Sequence, residues 1–243
     1  MKSLLSILTI GAFAATISSC NKTDEKTTVC RITSIINTQQ NQVNSSTKIV
    51  YDEGRIASIL TTGIEGGVKT FTYGVGTITV AEKDNNGNIQ RTKYLVLTPD
   101  RKIASLTEKN TANVTEAVTY YFYDGENHLN RIVKTASNGM TDTTMVTYID
   151  GNMTNSVNNT TKAVTSYIYD ENKLFMDGDY LQIMQTLDNG ALSVINKSVL
   201  KSMVTNNGTP TNIHYEYNSL GKIIKMTVSG AIADEYSYEY LCD

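Results

Sequence analysis

Lys48 to Ile59 reads KIVYDEGRIASI, and the same grammar returns at Tyr120 to Ile132 (YYFYDGENHLNRI), Tyr167 to Met176 (YIYDENKLFM) and Tyr215 to Met226 (YEYNSLGKIIKM). Alternating Tyr, Ile and Val ahead of the turn reads as a β-strand. Asp52-Glu53-Gly54 and Asn218-Ser219-Leu220-Gly221 read as hairpin turns, where Gly supplies a positive φ and Asp or Asn caps the backbone. Asp124 and Asp170 take the same turn place in their own copies. A basic residue and an aliphatic then open the returning strand, with another aliphatic three on: Arg55-Ile56 and Ile59, Lys222-Ile223 and Met226. Each unit is one hairpin, and a lone hairpin is marginal in water, so neighbours must pair edge to edge.

Working outward, weaker copies lie at Phe71 to Val80, Leu97 to Leu106, Thr147 to Val157 and Leu187 to Ile195, and Tyr236 to Tyr240 keeps one strand. The tyrosines Tyr51, Tyr73, Tyr123, Tyr148, Tyr169, Tyr217 and Tyr240 are spaced by 22, 50, 25, 21, 48 and 23 residues, two gaps being doubled. The fold expected is therefore all-β: an antiparallel meander of about eight YD-like β-hairpin repeats forming a curled sheet or open barrel. Late strands such as Ile213/Tyr215/Tyr217 look half solvated, since His214 and Glu216 take their other face. Val118/Tyr120/Phe122 and Val164/Ser166/Ile168 oppose further tyrosines, which predicts cover on both faces there. Within the less regular stretch from Asp179 to Val204, a short helix is expected at Tyr180 to Leu187.

The composition fits a folded β domain. Of 243 residues, 40% are apolar, 15 are Tyr and only 2 are Pro. With 21 Lys+Arg against 24 Asp+Glu and no basic block, there is no footprint for nucleic acid. Two histidines, His128 and His214, have no Cys, His or Asp neighbour at ligand spacing, so neither a metal nor a cofactor is expected. No nucleophile elbow, zincin motif or phosphate loop occurs, and Asp at a hairpin turn needs no catalytic reason.

These units resemble the YD repeats of the RHS and teneurin proteins, best at Tyr51-Asp52-Glu53-Gly54-Arg55-Ile56 and at Tyr217 to Ile223. That resemblance implies β-hairpins wound into a shell, although this chain is too short for the large hollow one. Leu4 to Ala15 is apolar behind Lys2, too short to span a bilayer but fitting a signal-peptide core. It ends Ile17-Ser18-Ser19-Cys20, which resembles the bacterial lipobox and implies lipidation of Cys20. Residues 1–19 then form a signal peptide, 20–28 a flexible tether and 29–243 a single all-β repeat domain. Thr23-Asp24-Glu25 resembles the acidic export signal of Bacteroidetes surface lipoproteins, which implies surface display rather than the periplasmic leaflet. The combination resembles Bacteroidetes lipoproteins with degenerate YD hairpins, a family from which no activity carries over. Asp142-Thr143-Thr144 resembles a Bacteroidetes O-glycosylation signal, with Thr143 as acceptor in a loop.

Cys30 and Cys242 remain after lipidation, and an oxidising envelope invites a disulfide between them. The bond requires the ends of the array to meet, as in a curled sheet and unlike an open solenoid. Otherwise they are two ordinary thiols. Three functions follow as expectations for an outer-membrane lipoprotein, surface-exposed or facing the periplasm. One is a non-enzymatic module binding a glycan, peptide or lipid-like ligand through exposed tyrosines. Another is an assembly lipoprotein that docks an envelope protein through an edge strand. The third is a hydrolase using carboxylates on turns.

Overall fold

The computed structural model describes residues 29–40, 42–63, 66–230 and 233–242. The signal peptide, the tether and Cys20 lie outside the described residues.

The strands are β1 (Cys30–Gln39), β2 (Gln42–Asp52), β3 (Arg55–Gly63), β4 (Gly67–Gly74), β5 (Thr77–Lys83) and β6 (Ile89–Leu97). There follow β7 (Ile103–Asn110), β8 (Thr115–Tyr123), β9 (Leu129–Ala136), β10 (Thr141–Ile149), β11 (Asn152–Asn158) and β12 (Val164–Leu174). Helix α1 (Tyr180–Asn189) precedes β13 (Ser198–Thr205), β14 (Thr211–Tyr217), β15 (Ile223–Ser229) and β16 (Asp234–Cys242). All are antiparallel, each pairs with its sequence neighbours, and β1 pairs with β16. The expected curled sheet or open barrel is thus a closed barrel of sixteen strands. Closure gives every strand two partners and removes the free edge that strand-addition docking would have required.

The YD turns lie at one end of this barrel. Glu53 and Gly54 have φ of 47° and 78°, the two positive values a type I′ hairpin needs. Asp124 Oδ1 accepts from the amides of Glu126 and His128, and Asn218 Oδ1 from those of Leu220 and Lys222. Gly221 closes the latter turn at φ 74°. Six strand pairs carry tight turns at this end, two fewer than eight uninterrupted hairpins would need. Asp170 is one correction: it lies inside β12, where it pairs with Val199, and the chain runs on to Leu174 before leaving the sheet. Leu187 to Ile195 is another, since it forms the end of α1 and a loop instead of a hairpin. There Gly190 is the left-handed cap of the helix, at φ 66°. Asp-Asn-Gly signals a hairpin turn and a helix C-terminus alike, because both require positive φ. In the remaining position, where β16 meets β1, a disulfide replaces the turn: Cys30 and Cys242 are joined at an S–S distance of 2.06 Å.

The tyrosines explain the repeat. Tyr73 donates its hydroxyl to the carbonyl of Ile56 at 2.9 Å, Tyr123 to Ile103 at 2.7 Å and Tyr240 to Ile223 at 2.7 Å. Tyr51 does the same to Ile32 at 2.9 Å. Each acceptor is the aliphatic that opens the returning strand of the preceding unit. The basic residue just before it covers the same ring, Arg55 over Tyr73 at 4.9 Å and Lys102 over Tyr123 at 5.2 Å. In these units the basic-aliphatic pair therefore clips the tyrosine of the next, whereas the repeat tyrosines Tyr148 and Tyr169 bury their hydroxyls without a partner. Burial, the main cause, pushes the Tyr51 hydroxyl up to about 12, so it stays a donor at neutral pH. Tyr123→Phe leaves the Ile103 carbonyl without its donor and should cost about 1 kcal/mol. Urea unfolding measures it, and an unchanged midpoint would reject the clip.

Sixteen strands enclose enough room for a channel, but this lumen is filled. The chain between β12 and β13 enters the barrel, and Ile183 of α1 is packed among inward residues such as Leu95, Leu200 and Met226. Asp179, fully buried, caps the helix, its Oδ1 accepting from the amides of Leu181 and Gln182. The outer face is mixed. Lys48, Arg131, Lys201, His214, Glu216 and Glu239 are exposed between threonines and scattered apolar residues. The predicted double cover of the middle strands does not occur, since Tyr120 is 49% exposed and Ile168 57%. Alternation sets which side chains share a face but not whether anything covers that face.

Candidate functional site

Several open cavities lie around the plug, among them one of about 270 Å³ that is lined by Asp177. A larger one, of about 620 Å³, shares Tyr51, Gly54 and Ile56 with it and lies at the YD end between the turns of β2–β3, β4–β5 and β6–β7. Its apolar lining is Ile56, Ile78, Leu97 and Ala191, with the rings of Tyr51 and Tyr73. Arg55 and Arg101 line it too, and no carboxylate does. Arg55 is held by its ring contact and by an exposed ion pair with Glu53 at 3.3 Å. Arg101 has φ 62° and makes no ion pair among the described residues. Its amide bonds the Thr98 carbonyl as the Gly221 amide bonds that of Asn218, so the two positions are equivalent in their turns. Most side chains cost energy in that conformation, and an arginine held there is strain beside a cavity. Aligning the turns would have singled out Arg101 from the sequence, because it stands where that turn has Gly.

A further cavity, about 300 Å³, lies in the lumen beside the helix C-terminus and is polar. Lys93, 3% exposed, meets Asp188 at 2.5 Å and Glu82 at 3.0 Å. Lys69 meets the same two carboxylates and donates to the Leu187 carbonyl at 3.0 Å, so two cations close the C-terminal end of α1. Burial alone would raise the Asp188 carboxyl, but the hydrogen bond and charge of Lys93, with Lys69 behind, hold it below the usual range. Glu108 is shared by Lys134 at 3.0 Å and Arg91 at 3.6 Å. Asp142 accepts from the Asn158 amide at 2.6 Å, and that bond, the largest cause, lowers its carboxyl as well. Strands β4 to β7 and β9 to β11, with the end of α1, supply these side chains, and no local spacing marked them.

The other sequence-derived positions do not gather into one site. Gly54 lines the YD-end cavity, whereas Asp52, Asp124 and Gly221 serve their own turns. Thr143 is in β10, paired with Val133, not in a loop, and its carbonyl accepts from Asn159. His128 stacks on Tyr148 with centroids 4.6 Å apart. Among the described residues no cluster of three or more His, Cys, Asp or Glu could hold a metal.

No protein-family model matches the chain, and neither does any curated protein. Solved structures do. A porin-like protein from Bacteroides uniformis aligns with a TM-score of 0.63 at 10% identity, covering 86% of this chain and 96% of that one. A porin-like protein from Bacteroides vulgatus aligns at 0.43 and 13% identity, over 86% and 98% of the two chains. At such identities the first likeness establishes the fold alone: this chain has the β-barrel architecture of a porin-like protein.

Proposed function

We propose that this protein is a non-enzymatic binding barrel of the bacterial envelope, held at the outer membrane by acyl chains on Cys20. Its ligand is an anion with a compact apolar body, bound in the YD-end cavity. The observation that carries this reading is the pair Arg55 and Arg101 over an apolar and aromatic floor with no lining carboxylate. Charge fixes the head of such a ligand, and the floor removes its body from water.

A position outside the bilayer is supported by the direction of the faces. A membrane-spanning barrel is apolar outside and polar inside. Here the densest apolar packing is inside, and β14 alone presents both His214 and Glu216 outward, exposed. Two acyl chains are sufficient for stable anchoring. Against a hydrolase stands the YD-end cavity itself, whose lining holds no carboxylate to act as acid or base.

The test is titration with 8-anilinonaphthalene-1-sulfonate, an anionic aromatic fluorophore, and its displacement by decanoate. Saturable fluorescence should weaken about tenfold in Arg101→Glu, a change of about 1.4 kcal/mol, at an unchanged melting temperature. Displacement by decanol as effective as by decanoate would refute the anionic site, as would unaltered binding in that variant.

A further inference from the structure

We propose that the lumen cavity beside the helix C-terminus is a second binding site, for a small organic ammonium ion, distinct from the YD-end pocket. Two of its acceptors have no partner. Asn189, 8% exposed, ends α1 with its Oδ1 unbonded, and Asp142 Oδ1 is likewise buried and unbonded. Both line the cavity. A buried acceptor without a donor costs about 1–3 kcal/mol, so the complement of this wall is a donor.

Charge selects which donor. Each lumen cation already faces carboxylates: Lys69 and Lys93 share Glu82 and Asp188, Arg91 faces Glu108 and Glu116, and Lys134 faces Glu108. Asp142 is the lining carboxylate with no cation within 4 Å among the described residues, and its donors are neutral: the Asn158 amide at 2.6 Å, then the Thr160 hydroxyl and the Thr143 backbone. A cationic donor therefore gains a charge-assisted bond there, where a hydroxyl gains only a neutral one. A primary ammonium carries three N–H groups to offer such acceptors, whereas a metal needs a fuller ring of ligands. The Tyr121 ring also lines the cavity, which admits an alkyl chain beside the charged head.

Calorimetric titration of the whole protein at low ionic strength with 1,4-diaminobutane, and with 1,4-butanediol as the neutral counterpart, tests the site. The diamine should bind saturably and the diol should not. Asp142→Asn should weaken the diamine about tenfold or more, and Asn189→Asp, which adds a carboxylate, should strengthen it. Melting curves of both variants report whether the barrel is intact, and the opposite directions of their effects separate binding from damage. Absence of saturable heat up to about 10 mM diamine would overturn the site and leave these oxygens to water. Equal binding of the diol, or affinity indifferent to both substitutions, would overturn it too.

Discussion

Asp179→Ala should destabilise the barrel by about 3–5 kcal/mol, enough to lower its melting temperature by about 10 °C. No part of Asp179 reaches solvent, and its carboxylate is the knot between plug and wall. Oδ1 accepts from the amides of Leu181 at 3.0 Å and Gln182 at 3.4 Å, capping α1. Oδ2 accepts from the Leu200 amide at 2.8 Å and the Tyr215 hydroxyl at 3.1 Å, reaching β13 and β14. Alanine removes the cap, worth about 1 kcal/mol. It also strands the Leu200 amide and the Tyr215 hydroxyl in the interior, at about 1–3 kcal/mol each. Burial, the largest influence, pushes the Asp179 carboxyl up, and the four donors only partly offset it. Asp179→Asn keeps one acceptor oxygen and loses that charge, so it should cost less than alanine. Urea denaturation compares the three proteins. A loss below about 1 kcal/mol in the alanine variant would mean that packing alone holds the plug.

Replacing Cys30 and Cys242 together by serine should cost up to about 5 kcal/mol while leaving the same barrel. The two cysteines are 212 residues apart, so the cross-link constrains nearly the whole unfolded chain. The native seam does not depend on it, because β1 and β16 are paired from Cys30↔Cys242 to Gln39↔Asp234. The effect therefore falls on the unfolded ensemble. At about 2–4 °C per kcal/mol, the melting temperature should drop by about 10–20 °C, and reduction of the native protein should do the same. A reduced protein that melts within about 2 °C of the oxidised one would show that the bridge contributes little.

Both predictions concern features that differ in how far the sequence announced them. The turns at Asp52–Gly54 and Asn218–Gly221 were legible because positive φ and side-chain capping are local, satisfied within four or five residues. Strand parity was legible for the same reason, and Tyr215 and Tyr238 lie inward as their alternation requires. Asp170 was misread because its YDEN lacks the glycine of a tight turn, and the strand runs through it to reach the point where the plug departs. Nothing within that stretch records a 23-residue excursion into the lumen, residues 175–197. The pairing of Cys30 with Cys242 followed from counting thiols, but the closure that brings them together depends on twist and stagger summed over sixteen strands. The polar lumen lay further still beyond reach. Its side chains come from separate strands between residues 69 and 158 and from the end of α1, so their approach exists only once the barrel has closed around the helix. Local backbone preference wrote the hairpins, and long-range packing assembled the sites.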